Sequence, residues 1–169
     1  IDPKPSAMPL VFRSQAREDA TYFMHATVGE LRQPSIRVHM DTTSQGVSML
    51  SISATNEFKS RQQFMQMGFD HPAVLVLEDV DLWAEPLTNL PAEEAQAAAL
   101  RLEHGVREAI MMVRSAIMNP KITVMASCGS GATVDSLFYG ILEPATVIDI
   151  DIPNTEERAE LWKWLSSRF

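Results

Sequence analysis

The sequence predicts an α/β domain, a parallel sheet covered by helices on both faces, and three observations predict it. Apolar runs recur at residues 10–12, 73–77 and 122–126, segments of helical periodicity alternate with them, and two further segments, 35–41 and 146–152, alternate apolar with polar residues. An unbroken apolar run suits a strand buried on both faces, whereas strict alternation suits a half-exposed strand. Strands separated by helices imply parallel pairing. Counting these five segments in order, strands one, three and four are expected inside the sheet, and strands two and five at its edges.

Each element has its own signal. Residues 1–9 are proline-rich, lack periodicity and are expected to form a linker into the first strand. In 16–32, Ala20, Met24, Val28 and Leu31 recur on one stripe, which predicts a helix ending before Pro34. Strand two carries Ile36, Val38 and Met40 on one face and Arg37 and His39 on the other. Residues 42–53 leave two readings open: Ser44-Gln45-Gly46 suits a turn, and 47–52 suits either a short strand or a loop. A second helix is expected over 56–67, with Phe58, Met65 and Phe69 near one stripe and Thr55 or Asn56 as cap.

Strand three, 73–77, enters from His71-Pro72 and is closed by Glu78, Asp79 and Asp81. Residues 91–118 are alanine-rich, and Leu102, Val106, Ile110, Val113 and Ile117 form the stripe of a helix that Gly105 is expected to interrupt. Strand four is expected over 122–126, left by a loop at 127–131, after which Thr133 caps a helix carrying Val134, Leu137, Phe138 and Ile141. Strand five follows, and Asn154 with Glu157 forms a capping-box start to a last helix bearing Leu161, Trp162 and Leu165. The α/β core is therefore expected over 10–153 and its trailing helix over 154–169. Two strand orders, flavodoxin-like and P-loop, satisfy this pattern, and periodicity leaves both open.

Composition narrows the classes of function. A chain of 169 residues with 46% hydrophobic and 21% charged residues is expected to bury one ordinary core. The net charge of −8, with no cluster of lysine and arginine, argues against direct binding of nucleic acid or an anionic membrane. No apolar run approaches the ~18 to 20 residues of a membrane-spanning helix, and the first residues have no signal-peptide pattern. The single cysteine, Cys128, excludes an internal disulfide framework, so a reducing, cytoplasmic setting is expected. The chain starts at Ile1 rather than Met and stops within a helical pattern, as a piece cut from a longer protein would.

Local motifs carry a resemblance. The stretch Ala-Val-Leu-Val-Leu-Glu-Asp-Val-Asp-Leu-Trp over 73–83 resembles the Walker B strand of AAA+ ATPases. Residues 122–127 resemble the strand carrying that family's polar sensor, Val134-Asp135 is similar to the Leu-Asp that opens its next helix, and 148–161 resembles its final strand, proline and Glu-Glu-Arg-Ala helix start. Residues 29–40 resemble the segment joining its first helix to its second strand. The resemblance covers nearly the whole chain in order. It implies a three-layer sandwich with a five-stranded parallel sheet of P-loop NTPase type, strand order 5-1-4-3-2, and a last helix leading toward a lid subdomain absent here.

The departures from that family are equally specific. A working phosphate loop needs glycines whose amides wrap the phosphates, a lysine to neutralise them and a hydroxyl for the metal. Here the first strand runs into Arg13-Ser14-Gln15-Ala16-Arg17-Glu18-Asp19-Ala20, so Ser14, Asp19 and Ala20 occupy phosphate-loop positions, with Asp19 where the lysine belongs. The acidic pair is inverted: Glu78 falls at the metal-binding aspartate and Asp79 at the glutamate that activates water. Cys128 and Gly129 stand where a Thr-Asn sensor pair is usual, and Glu143-Pro144 stands where an arginine finger would arise. The resemblance therefore implies a degenerate, catalytically inactive AAA+ domain that packs against a neighbouring AAA+ domain or subunit, in cis or in trans, with no cofactor. One alternative is a divergent active ATPase using Glu78 and Asp79 with ATP and Mg²⁺. Another is a flavodoxin-like or receiver-like regulatory domain.

Plainer readings stand beside these. The acids at 78, 79 and 81 either retain Mg²⁺ or, the favoured account, merely end a strand and cap the next segment. The Gly129-Ser130-Gly131 loop either cradles an anion or simply turns the chain. Cys128 lacks the arginine that a cysteine phosphatase places six residues on, where Val134 stands, and is expected to be a small loop residue. His25, His39, His71 and His104 have no metal-ligand spacing. Met111, Met112 and Met118 are expected to fill the core, and Trp162 or Trp164 to be exposed or used at an interface.

Overall fold

The computed structural model describes residues 8–42, 48–54, 72–84, 92–131, 142 and 144–168. The strands are β1 (Leu10–Ser14), β2 (Ser35–Thr42), β3 (Ser48–Ala54), β4 (Ala73–Leu77), β5 (Ile122–Gly129) and β6 (Thr146–Ile150), joined in one sheet of order β3-β2-β4-β5-β1-β6. The helices are α1 (Arg17–Leu31), α2 (Ala92–Ile117) and α3 (Thr155–Ser166), with a 3₁₀ turn over Val80–Ala84. Strands β2, β4, β5, β1 and β6 pair in parallel, in the order that the resemblance implies. β1 lies between β5 and β6, which excludes the flavodoxin order, in which it would lie between the second and third strands.

Alternation along the inner strands sends side chains to two separate cores. Val11, Ile36, Val38, Leu75, Leu77, Val124 and Ala126 pack with Met112, Val113 and Ala116 of α2 on one face. Phe12, Val74, Val76 and Met125 pack with Ala20 and Met24 of α1 on the other. All five residues of β4 are buried, as its unbroken apolar run requires. Each fully buried Val, Leu, Ile, Phe or Met among them contributes about 1.5–3 kcal/mol through transfer from water.

Strand two is not an edge. β3 pairs antiparallel along its whole length, from Ile36 opposite Ala54 to Thr42 opposite Ser48. The ambiguous segment thus holds a strand, and the sheet gains a sixth member outside the expected five. Alternation in β2 reports instead two unlike faces: Ile36 and Val38 are buried beneath α2, while Arg37 is exposed on the opposite side. Among the described residues β6 is the edge expected of it, paired with β1 alone.

Other expectations are corrected too. α2 runs unbroken through Gly105. β5 continues to Gly129 because β1 extends beside it, with Arg13 opposite Cys128 and Ser14 opposite Gly129, so 127–129 belong to the ladder rather than to a loop. Met112 is buried as expected, whereas Met111 and Met118 are exposed. Leu31, assigned to the α1 stripe, is also exposed. The capping box of α3 forms as its sequence dictates: the Asn154 side chain accepts from the Glu157 amide at 2.9 Å, and the Asn154 amide donates to Glu157 Oε2 at 2.9 Å. No residue of α3 is buried, and both Trp162 and Trp164 are exposed. The expected helix over 56–67, the one following Thr133, the turn at 44–46 and the 1–7 part of the linker lie outside the described residues. No helix among the described residues is long and apolar enough to cross a membrane.

Leu75 is fully buried, so Leu75→Ala is expected to lower unfolding free energy by about 2–5 kcal/mol in urea titration with an unchanged m-value. Trp162→Ala, at an exposed position, is expected to change it by less than about 0.5 kcal/mol.

Candidate functional site

In a parallel sheet the strand ends at the carboxyl edge bring residues from distant parts of the chain together. At this edge β1 ends at Ser14 and α1 begins at Arg17, so only Gln15 and Ala16 connect them. Ala16 sits at the helix N-cap without a side-chain cap hydrogen bond. Two residues give little backbone to wrap around a ligand, and they place Arg17 in the first helical turn beside the acids that follow β4.

Arg17 meets Asp81 in a two-pronged pair, Nη1 to Oδ1 at 2.6 Å and Nη2 to Oδ2 at 2.9 Å, and Nη1 also reaches Asp79 Oδ1 at 3.4 Å. Planar fork-to-carboxylate contacts of this kind are strong and directional. The Asp81 hydrogen bonds hold the guanidinium even further above its ordinary pKa. Gly129 leaves the space this requires: a Cβ there would lie 2.9 Å from Arg17 Nη2 and 3.3 Å from Asp81 Oδ2.

Asp79 adopts φ 49°, a left-handed conformation that costs a non-glycine residue about 1–3 kcal/mol. Its amide donates to Ser127 Oγ at 3.1 Å, and its carbonyl accepts from the Leu82 amide at 2.9 Å. Ser127 is fully buried, and its hydroxyl also meets Thr21 Oγ1 at 3.1 Å. Burial pushes the Asp79 carboxyl above the ordinary aspartate range, against the opposing pull of Arg17.

Glu78 belongs to a second ion pair. Its buried carboxylate receives Arg37 Nε at 2.6 Å and Arg37 Nη2 at 3.0 Å, and His25 Nε2 lies against the same Oε1. Trp83 Nε1 donates to the Glu78 carbonyl at 2.8 Å, fixing the start of the 3₁₀ turn. Glu78, where the divergent-ATPase alternative would place Mg²⁺, therefore has both carboxylate oxygens engaged by Arg37. Among the described residues, no group of three or more His, Cys, Asp or Glu side chains is arranged to hold a metal ion.

The remaining sequence-derived positions scatter. Asp19 is exposed on α1, Ala20 is buried in the α1 core, and Ser14 is buried at the end of β1. Cys128 is a strand residue in the α2-side core rather than a loop residue, and burial pushes its thiol up to about 11, which leaves little thiolate at neutral pH. The acids do more than end a strand: Glu78 and the Asp79–Asp81 pair anchor two different cations. Sequence reasoning missed Arg17, Arg37 and His25. Arg17 alone left a signal, because a cation in a helix's first turn opposes the helix dipole and calls for a compensating acid.

No known family model matches the chain, and no curated protein matches it.

Arg17 and Asp81 retain 31% and 20% side-chain exposure, which reduces the ~3–5 kcal/mol cost of breaking a fully buried pair. Asp81→Asn is therefore expected to cost about 1–3 kcal/mol in urea unfolding. Asp79 gives a pH signature. Its folded pKa is raised, so its stabilising share is fully present below the unfolded value and is lost as pH rises through the folded one. Asp79→Asn, which suits the left-handed backbone and never ionises, is expected to gain on the parent protein as pH rises from the ordinary aspartate range toward neutrality. Urea midpoints at a series of pH values check this, and a loss that grows with pH would mean that pairing with Arg17 outweighs burial.

Proposed function

We propose that this domain is a degenerate AAA+ module without ATPase activity, used as a structural or interaction unit against a neighbouring AAA+ domain or subunit, in cis or in trans. The observation that carries the reading is Arg17, whose guanidinium lies on Asp81 and Asp79 at the carboxyl edge of the sheet. In an active P-loop enzyme that edge must admit a triphosphate with its metal. Here the acids are already neutralised by an internal cation, and the two-residue turn supplies no glycine-rich run of free amides. A triphosphate approaching this turn would also meet the exposed carboxylates of Glu18 and Asp19 in the first turn of α1.

Strand order supports the family reading, and α3 supports the interaction role. A helix that is well capped yet buries no residue, and that exposes two tryptophans, is suited to contact with another domain.

Isothermal titration with ATP and Mg²⁺, paired with a phosphate-release assay, tests the proposal. No binding heat at millimolar nucleotide and no turnover are expected; micromolar affinity with hydrolysis would replace this reading with that of a divergent ATPase.

A further inference from the structure

A second feature lies on the other flank of the carboxyl edge. The ends of β1 and β6 enclose a cleft of about 240 Å³ whose lining includes Arg13, Ser14, Asp149, Ile150, Asp151 and Ile152. Arg13 and Asp149 face each other across adjacent strands and satisfy each other, Nε to Oδ1 at 2.6 Å and Nη2 to Oδ2 at 3.0 Å. Asp151, two residues further on, is exposed and bonds none of the described residues. Ser14 is 3% exposed, and its hydroxyl, on the cleft wall, also has no hydrogen-bond partner among the described residues.

We propose that this cleft binds a small organic cation, a primary ammonium or guanidinium on a short aliphatic stem. Charge selects the sign: the lining named above carries one cation and two carboxylates, and that cation is already spent on Asp149. The uncompensated charge is that of Asp151, so an anion is repelled and a neutral ligand leaves the carboxylate unmatched. Hydrogen bonding selects the head, since Ser14 and Asp151 both accept from N–H donors. Ile150 and Ile152 offer an apolar path for the stem. Size selects the scale, because the volume falls below the ~300–1,000 Å³ of clefts that enclose drug-sized ligands.

Amide-resolved NMR titration tests the site with four probes: butylammonium, N-acetyl-lysine N-methylamide, the matching capped norleucine and inorganic phosphate. Both cations are expected to give saturable shifts at Ser14, Asp151 and Ile152 with millimolar Kd. Asp151→Asn, at an exposed position, is expected to weaken them at least fivefold, and Glu30→Gln, an exposed acid in the last turn of α1, to leave them unchanged. Binding of butylammonium but not of the capped lysine also supports the site and identifies a free amine as its ligand. Equal binding by norleucine, tighter binding by phosphate, indifference to Asp151→Asn or equal weakening by Glu30→Gln would overturn the proposal.

Discussion

Arg17 spans the carboxyl edge of the sheet, and its charge has to be matched there because α1 begins only two residues beyond β1. The short turn fixes where the guanidinium falls, and Asp81 and Asp79 supply the matching carboxylates from the segment after β4. Much nearby geometry serves this pairing. Gly129 removes the Cβ that would crowd it, Ser127 holds the Asp79 amide, and Trp83 anchors the preceding carbonyl. Asp79 carries backbone strain and a desolvated carboxyl at the same position, a combination that elsewhere marks sites under functional constraint. In this domain the arrangement ties α1, β4 and β5 together.

The two ion pairs divide the acidic cluster in a way that bears on chemistry. Glu78 turns toward β2 and α1 through Arg37 and His25, while Asp79 and Asp81 turn toward Arg17. Carboxylates committed to separate guanidinium groups cannot converge on one metal ion without giving up those bonds. An edge built to admit a charged ligand would keep part of its hydrogen-bonding capacity open, as Ser14 and Asp151 do on the other flank.

Much of the fold was legible because burial on both faces leaves an unmistakable mark. The apolar runs 10–12, 73–77 and 122–126 contain no charged residue, and the stripes of α1 and α2 follow the helical period. β3 was harder to read, since its Ser-Met-Leu-Ser-Ile-Ser-Ala sequence suits neither pattern cleanly and its pairing comes from β2. The position of β2 was misjudged because alternation measures which face is covered, not whether a strand has neighbours. Small residues at 127–129 resembled a loop until the ladder with β1 drew them into the sheet. Of the site, the acids were visible as a cluster, but their partners arrive from 41 to 64 residues away, a distance that no local spacing encodes.

With Arg17 held on Asp79 and Asp81, the proposed loss of triphosphate binding turns on whether that pairing opens. A crystal structure of the domain grown with millimolar ATP and Mg²⁺ tests it most directly. The Arg17–Asp81 pair is expected to stay closed, with no phosphate density at the turn between β1 and α1. Phosphates seated on that turn, with Arg17 swung away from the acids, would contradict it.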